Sequence, residues 1–229
     1  MAAEMPNRRM SLSWAPSAFW GNHLRGKRRG WALLAAAVLL AALPASVWAF
    51  AGESVVRMPK AETLGEGTAL FNVRILDGDL GAAVVYGLSD SLDVGVSAGP
   101  LDGGKNTEYS PVLQLNIWGE TPERPAVAVG YRDHFGYVTL GRQLGQPGLR
   151  AHFGVRTDPT RPFAGITYVL NPVQVVEGDG IPPLWTLLAE YDGQDINGGV
   201  RLETGGGLYG EVGWASGGFL AGVGYRTSL

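Results

Sequence analysis

Two histidines and a scatter of charged residues are the places where this chain could do chemistry. Beyond the N-terminal leader, His134 and His152 are the imidazoles available as general bases. Asp133 precedes His134 directly, and an acid that orients an imidazole is a familiar arrangement for proton transfer. The pair also reads as a tight turn exposed to solvent, and that is the reading its neighbours favour. His152 lies between Arg150 and Gly154 on a polar face, where its ordinary role is a hydrogen bond. No serine has the context of a nucleophile elbow, and no histidine pair has zinc spacing. Asp192, Asp195 and Asn197 have a superficial likeness to a calcium loop. Their spacing is not that of an EF-hand, and Asp192-Gly193 reads as a hairpin turn. The absence of cysteine removes disulfides and thiolate metal sites. The sequence therefore argues against an enzyme and calls for no metal and no cofactor.

The charged residues form a clearer pattern when taken together. Arg74, Asp93, Arg132, Arg150, His152, Arg156, Glu190, Arg201, Glu203, Glu211 and Arg226 all fall on the face opposite an apolar one. Both signs are present. In one reading, Arg–Glu pairs and Tyr209 fill a closed interior. In the other, these residues line a polar pathway whose charges select solutes.

The elements that must position them are strands. Asp79 to Pro100, DLGAAVVYGLSDSLDVGVSAGP, alternates strictly. Leu80, Ala82, Val84, Tyr86 and Leu88 share one face, and Gly81, Ala83, Val85 and Gly87 the other. After Ser89-Asp90-Ser91, Leu92, Val94, Val96 and Ala98 alternate with Asp93, Gly95, Ser97 and Gly99. A period of two around turn residues predicts a β-hairpin. The same pattern begins at Thr68 and recurs to the C-terminus, with Asp77-Gly78 as a tight turn. Twelve strands result from a direct count, within a range of ten to fourteen. Tyr137–Leu144 is the weakest of them, because either choice of face mixes apolar and polar residues. Val173–Val176, in the link Asn171–Pro183, is the place where a further strand could hide.

An all-β antiparallel transmembrane barrel fits this alternation better than a soluble sandwich. An arginine facing lipid at mid-bilayer costs about 2–4 kcal/mol, and the six strand arginines above all avoid the apolar face. After the leader, the chain has two lysines, Lys60 and Lys105, where a sandwich's wet face would carry many. Tyr86, Tyr131, Tyr168, Tyr191, Trp214 and Tyr225 sit near strand ends on the apolar face, as interfacial girdles do.

Three regions follow. Residues 1–51 are a basic leader and signal peptide: Arg8, Arg9, Arg25, Lys27, Arg28 and Arg29 precede an apolar run from Trp31 to Ala49. A signal helix there, cleaved near Ala49 or Ala51, directs the rest across the inner membrane. Residues 52–67 have no period and read as a periplasmic lead-in, with Val55 and Val56 tucked against the barrel end. Residues 68–229 are the barrel, placed in the outer membrane with lipid as its first partner. A basic leader before a net-acidic body argues against nucleic acid as a partner. Short predicted external loops, the longest being Leu101–Ser110, disfavour an adhesin or receptor with large recognition loops.

Ala61-Glu-Thr-Leu-Gly-Glu-Gly67 resembles the entry segment of many small outer-membrane barrels, and Tyr86–Gly95 resembles their periplasmic turn. Ala189-Glu-Tyr-Asp-Gly-Gln-Asp-Ile-Asn-Gly-Gly-Val-Arg-Leu202 is similar to a motif of the YjbH-like barrels linked to exopolysaccharide biosynthesis. The resemblance implies a porin-like conduit or an accessory of polysaccharide export, with polysaccharide or export machinery as partners. The alternative is a closed structural or binding barrel without transport.

Overall fold

The structure is a computed structural model that describes residues 54–99, 107–172 and 182–229. The leader and signal peptide, most of Leu101–Ser110 and the Val173–Val176 stretch lie outside those residues. Twelve antiparallel strands close into one barrel: β1 (Thr68–Leu76), β2 (Asp79–Ser89), β3 (Leu92–Gly99), β4 (Glu108–Trp118), β5 (Ala126–Arg132), β6 (Phe135–Gln143), β7 (Leu149–Arg156), β8 (Arg161–Val169), β9 (Leu184–Tyr191), β10 (Ile196–Glu203), β11 (Leu208–Ala215) and β12 (Gly218–Ser228). Each strand pairs with its sequence neighbours, and β1 pairs with β12 from Thr68↔Ser228 to Leu76↔Leu220 to seal the ring. Closure leaves no edge strand with unpaired backbone groups.

Tight turns hold the hairpins in register. Asp77 and Gly78 both take positive φ, at 50° and 90°, as do Asp133 and His134 at 45° and 65°. Two successive left-handed residues match the right-handed twist of a two-residue hairpin. β4 begins at Glu108, earlier than the polar loop predicted to run to Ser110, because Glu108, Tyr109 and Ser110 pair with Gly99, Ala98 and Ser97.

The barrel is inverted relative to a soluble domain. Its outer face exposes Ile75, Leu113, Leu115, Ile117, Phe153, Ile166, Leu187, Val212, Phe219 and Val223, each more than 40% accessible. Its inner face buries Arg74, Asp93, Arg132, Glu190, Arg201 and Glu211. A continuous apolar exterior over a charged interior fits an outer-membrane barrel fold, in which lipid covers the outside.

Glycine on the inner face makes room. A Cβ on Gly130 would collide with the Tyr137 ring, one on Gly154 with Phe163, and one on Gly224 with Tyr209. Large side chains on one strand therefore lie over bare backbone on the next. β6 was hard to read for this reason. Its inward face carries Phe135 and Tyr137 beside Thr139 and Gly141, so both faces look apolar in sequence.

Candidate functional site

The barrel interior is filled by the chain's own residues 54–66. Their sequence, SVVRMPKAETLGE, was expected to lead in from outside; the structure places it among the inward-facing side chains. Ser54 to Pro59 reverse direction in a tight bend, with an antiparallel bridge between those two residues and Val55 N–H donating to the Met58 carbonyl at 3.0 Å. Pro59 and the run of small or apolar residues suit a segment that must reverse in a narrow channel. The tip, Arg57, reaches the end of the barrel away from the chain terminus: it bonds Ser216 Oγ and lies 3.5 Å from Asp192. The chain then returns to the opposite mouth, where Gly65 and Gly67, at φ +84° and +76°, turn it into β1.

Apolar contacts seat it at four levels. Val55 and Val56 pack with Leu76, Leu188, Ala215 and Leu220. Met58 packs with Phe135, Tyr137 and Phe163. Ala61 meets Ala126 and Ala128, and Leu64 meets Ala83, Val85 and Val112. Val55 also presses on Gly165, where a Cβ would come within 2.9 Å of it.

Charges hold the segment between these levels. Glu190, 3% exposed, accepts the backbone N–H groups of Val56 at 2.8 Å, Arg57 at 2.9 Å and Met58 at 3.1 Å, with Asn197 Nδ2 at 3.0 Å. A buried carboxylate is tolerable only with such partners, and four donors satisfy it. Glu211 lies between Arg74 and Arg201, bonded to both. Arg74 also donates to Ser54 Oγ and the Val56 carbonyl at 3.0 Å each, and Arg201 to the Ser54 carbonyl at 3.3 Å. Two cations around one anion leave spare donors, and the carbonyls of the segment take them up. Arg201 in addition lies over the Tyr209 ring at 5.2 Å.

The remaining charged residues sit nearer the two mouths. Asp93 accepts Leu64 N–H at 3.0 Å. Arg150 bridges Glu62 at 2.5 Å and Glu120 at 2.6 Å, and Glu203 pairs with Arg226 at 3.3 Å. Glu62, Glu120 and Arg150 line a recess of about 510 Å³ together with Asp90 and Asn116. His152 is buried 3.9 Å from Glu62, with neither ring nitrogen hydrogen-bonded. At the other end Arg156 lies over the Phe135 ring at 5.3 Å, and Arg132 stands 3.8 Å from Asp133.

All eleven charged residues singled out in the sequence therefore face inward, but they do not form one wet lining. Arg74, Glu190, Arg201 and Glu211 grip the bend, Asp93 and Arg150 hold the segment nearer the mouth at Leu64 and Glu62, and Arg132, Arg156, Glu203 and Arg226 meet neighbours in the wall. The alternation of β4 puts Gln114 and Asn116 inward, but sequence reasoning did not count them or Thr139 among the site residues; they donate to the carbonyls of Glu62, Ala61 and Pro59 at 2.7, 2.8 and 3.4 Å. Their inward register and polar type were the available signal.

The residues weighed for catalysis have other partners. Asp133 accepts Ser97 Oγ at 3.1 Å, while His134 Nε2 lies 3.9 Å from Glu108. Asp192 Oδ1 accepts the N–H groups of Gln194 and Asp195 at 3.0 and 2.9 Å, closing the β9–β10 turn. That turn and the Ser89–Ser91 turn lie at opposite ends of the barrel, whereas the resemblance to small barrels would put both on the periplasmic side. The chain matches no family model, no curated protein and no solved structure.

Proposed function

We propose that this protein is an outer-membrane β-barrel whose resting state is closed, its interior stoppered by residues 54–66 of the same chain. The observation that carries this reading is Glu190: a buried carboxylate spends its acceptors on three consecutive N–H groups of the stopper rather than on water. The apolar exterior supports membrane placement, and the basic leader with its apolar run supports export through a cleaved signal peptide. The reading is non-enzymatic, and among the described residues the inward side chains it invokes are engaged with the stopper or with the wall. The similarity of Ala189–Leu202 to YjbH-like barrels favours an accessory role in exopolysaccharide export over a porin-like conduit, since the interior is occupied.

Planar-bilayer recording of the purified protein tests the closed state. Wild type is silent, and a chain lacking residues 54–64 conducts. Steady conductance from intact wild type would overturn the reading. A deletion strain whose secreted polysaccharide is unchanged in amount and composition would remove the export role while leaving the closed barrel intact.

A further inference from the structure

We propose that the barrel interior is a binding site for a peptide segment that enters and doubles back in a tight bend, and that residues 54–66 are an exchangeable occupant of it. The wall addresses main-chain atoms. Glu190 and Asp93 accept backbone N–H groups, and Arg201, Gln114, Asn116 and Thr139 donate to backbone carbonyls. Those groups are common to every peptide, so most of the polar contacts recognise the backbone of a segment that doubles back in a tight bend, with side-chain pairs added at Ser54, Arg57 and Glu62. Side chains discriminate at few places. The pockets take an apolar pair where Val55 and Val56 sit, a flexible apolar chain at Met58, a small residue at Ala61 and an apolar one at Leu64.

The barrel does not need the segment to complete its own hydrogen bonding. β1 to β12 form a ring of twelve pairings, and no residue of 54–66 enters that ladder. The connection to β1 runs through exposed Glu66 at the mouth, flanked by two glycines in the left-handed region. Withdrawal thus breaks side-chain contacts and leaves the wall paired. The ligand is a peptide of about a dozen residues with that apolar–apolar–x–apolar–x–x–small–x–x–apolar spacing, supplied by another copy of this chain, whose residues 54–66 fit these pockets.

The test uses the full chain with a protease site inserted between Glu66 and Gly67, folded in detergent and then cut. It reads binding, so it is separable from membrane placement and conductance. The probe is a fluorescent synthetic peptide of residues 54–66. The N-terminal fragment is expected to co-elute with the barrel after cutting, and the labelled peptide to replace it saturably. Uncut protein, with its segment tethered, should take up little. A peptide N-methylated at Val56, Arg57 and Met58 loses the three donors to Glu190 and should bind at least about tenfold more weakly. A Glu66→Ala peptide, altered at an exposed side chain, should bind within about threefold of the parent. Loss of heat-modifiable gel mobility on cutting would make the segment part of the wall and overturn the proposal. So would failure of the labelled peptide to enter, equal uptake by uncut protein, or equal affinity of the N-methylated peptide.

Discussion

Replacing Glu190 by Gln isolates the grip on the stopper with little change in volume. In the native protein three backbone N–H groups reach the carboxylate at 2.8, 2.9 and 3.1 Å. A hydrogen bond to a charged acceptor is worth roughly 1 kcal/mol more than one to a neutral acceptor, so the amide forfeits about 3 kcal/mol over the three. Relief of the carboxylate's own burial returns part of that, leaving about 2 kcal/mol. With about 1.4 kcal/mol per tenfold change, local opening of the bend rises roughly thirtyfold. Hydrogen–deuterium exchange in detergent reads this amide by amide. Val56, Arg57 and Met58 should exchange about thirtyfold faster in Glu190→Gln, while the β2–β3 amides keep their wild-type rates. Unchanged exchange at those three positions would refute the argument that the carboxylate holds them. Acceleration spread evenly over the barrel would show instead that Glu190 supports the wall.

Other substitutions probe separate features. Glu211→Gln leaves Arg74 and Arg201 buried around a neutral amide, and denaturant unfolding followed by tryptophan fluorescence should show a loss of about 3–5 kcal/mol. Val212→Arg, at the middle of β11 on the outer face, should cost about 2–4 kcal/mol when the barrel folds into lipid vesicles. A cost near zero there would mean that this face does not meet lipid. Asp133→Asn tests a turn. Withdrawal from water pushes the Asp133 carboxyl above its ordinary 3.8, against the pull of Arg132 and the Ser97 hydroxyl. Folding therefore favours the protonated acid, and that advantage is present at low pH and lost as pH rises through the folded pKa. Asn tolerates the left-handed φ of 45° at this position. The variant should exceed wild type in stability at pH 8, with the difference shrinking toward pH 4.

The wall was legible in the sequence because one physical rule governs it. An outer face against lipid and an inner face against polar groups force alternation, so Leu80–Leu88 and Leu92–Ala98 declare both strand and orientation. Where the rule relaxes, legibility fails. Phe135 and Tyr137 point inward yet are apolar, because they meet Met58 of the stopper, and β6 lost its contrast. The stopper itself was hidden for a deeper reason. Many of its polar contacts run through main-chain groups, which carry no residue identity, and its apolar contacts follow no strand period. Inward arginines were correctly placed by face, but their partners come from up to 147 residues away, as for Arg201 and Ser54. Pairings of that range leave no local trace.

The bend at Ser54–Pro59 also bears on how the barrel can be assembled. The seam between β1 and β12 joins residues about 160 positions apart, and closing a flexible loop of that length costs about 4–5 kcal/mol in chain entropy. Residues 54–66 are covalently joined to β1 and make their strongest contacts with β9, β10 and β11. A chain that has already seated this segment on Glu190, Arg201 and Glu211 carries its first strand to its last. The search that remains is then short, of the order of the bend itself. Seating the stopper early thus shortens the search for the seam, while the register itself is held by the twelve strand pairings of the wall.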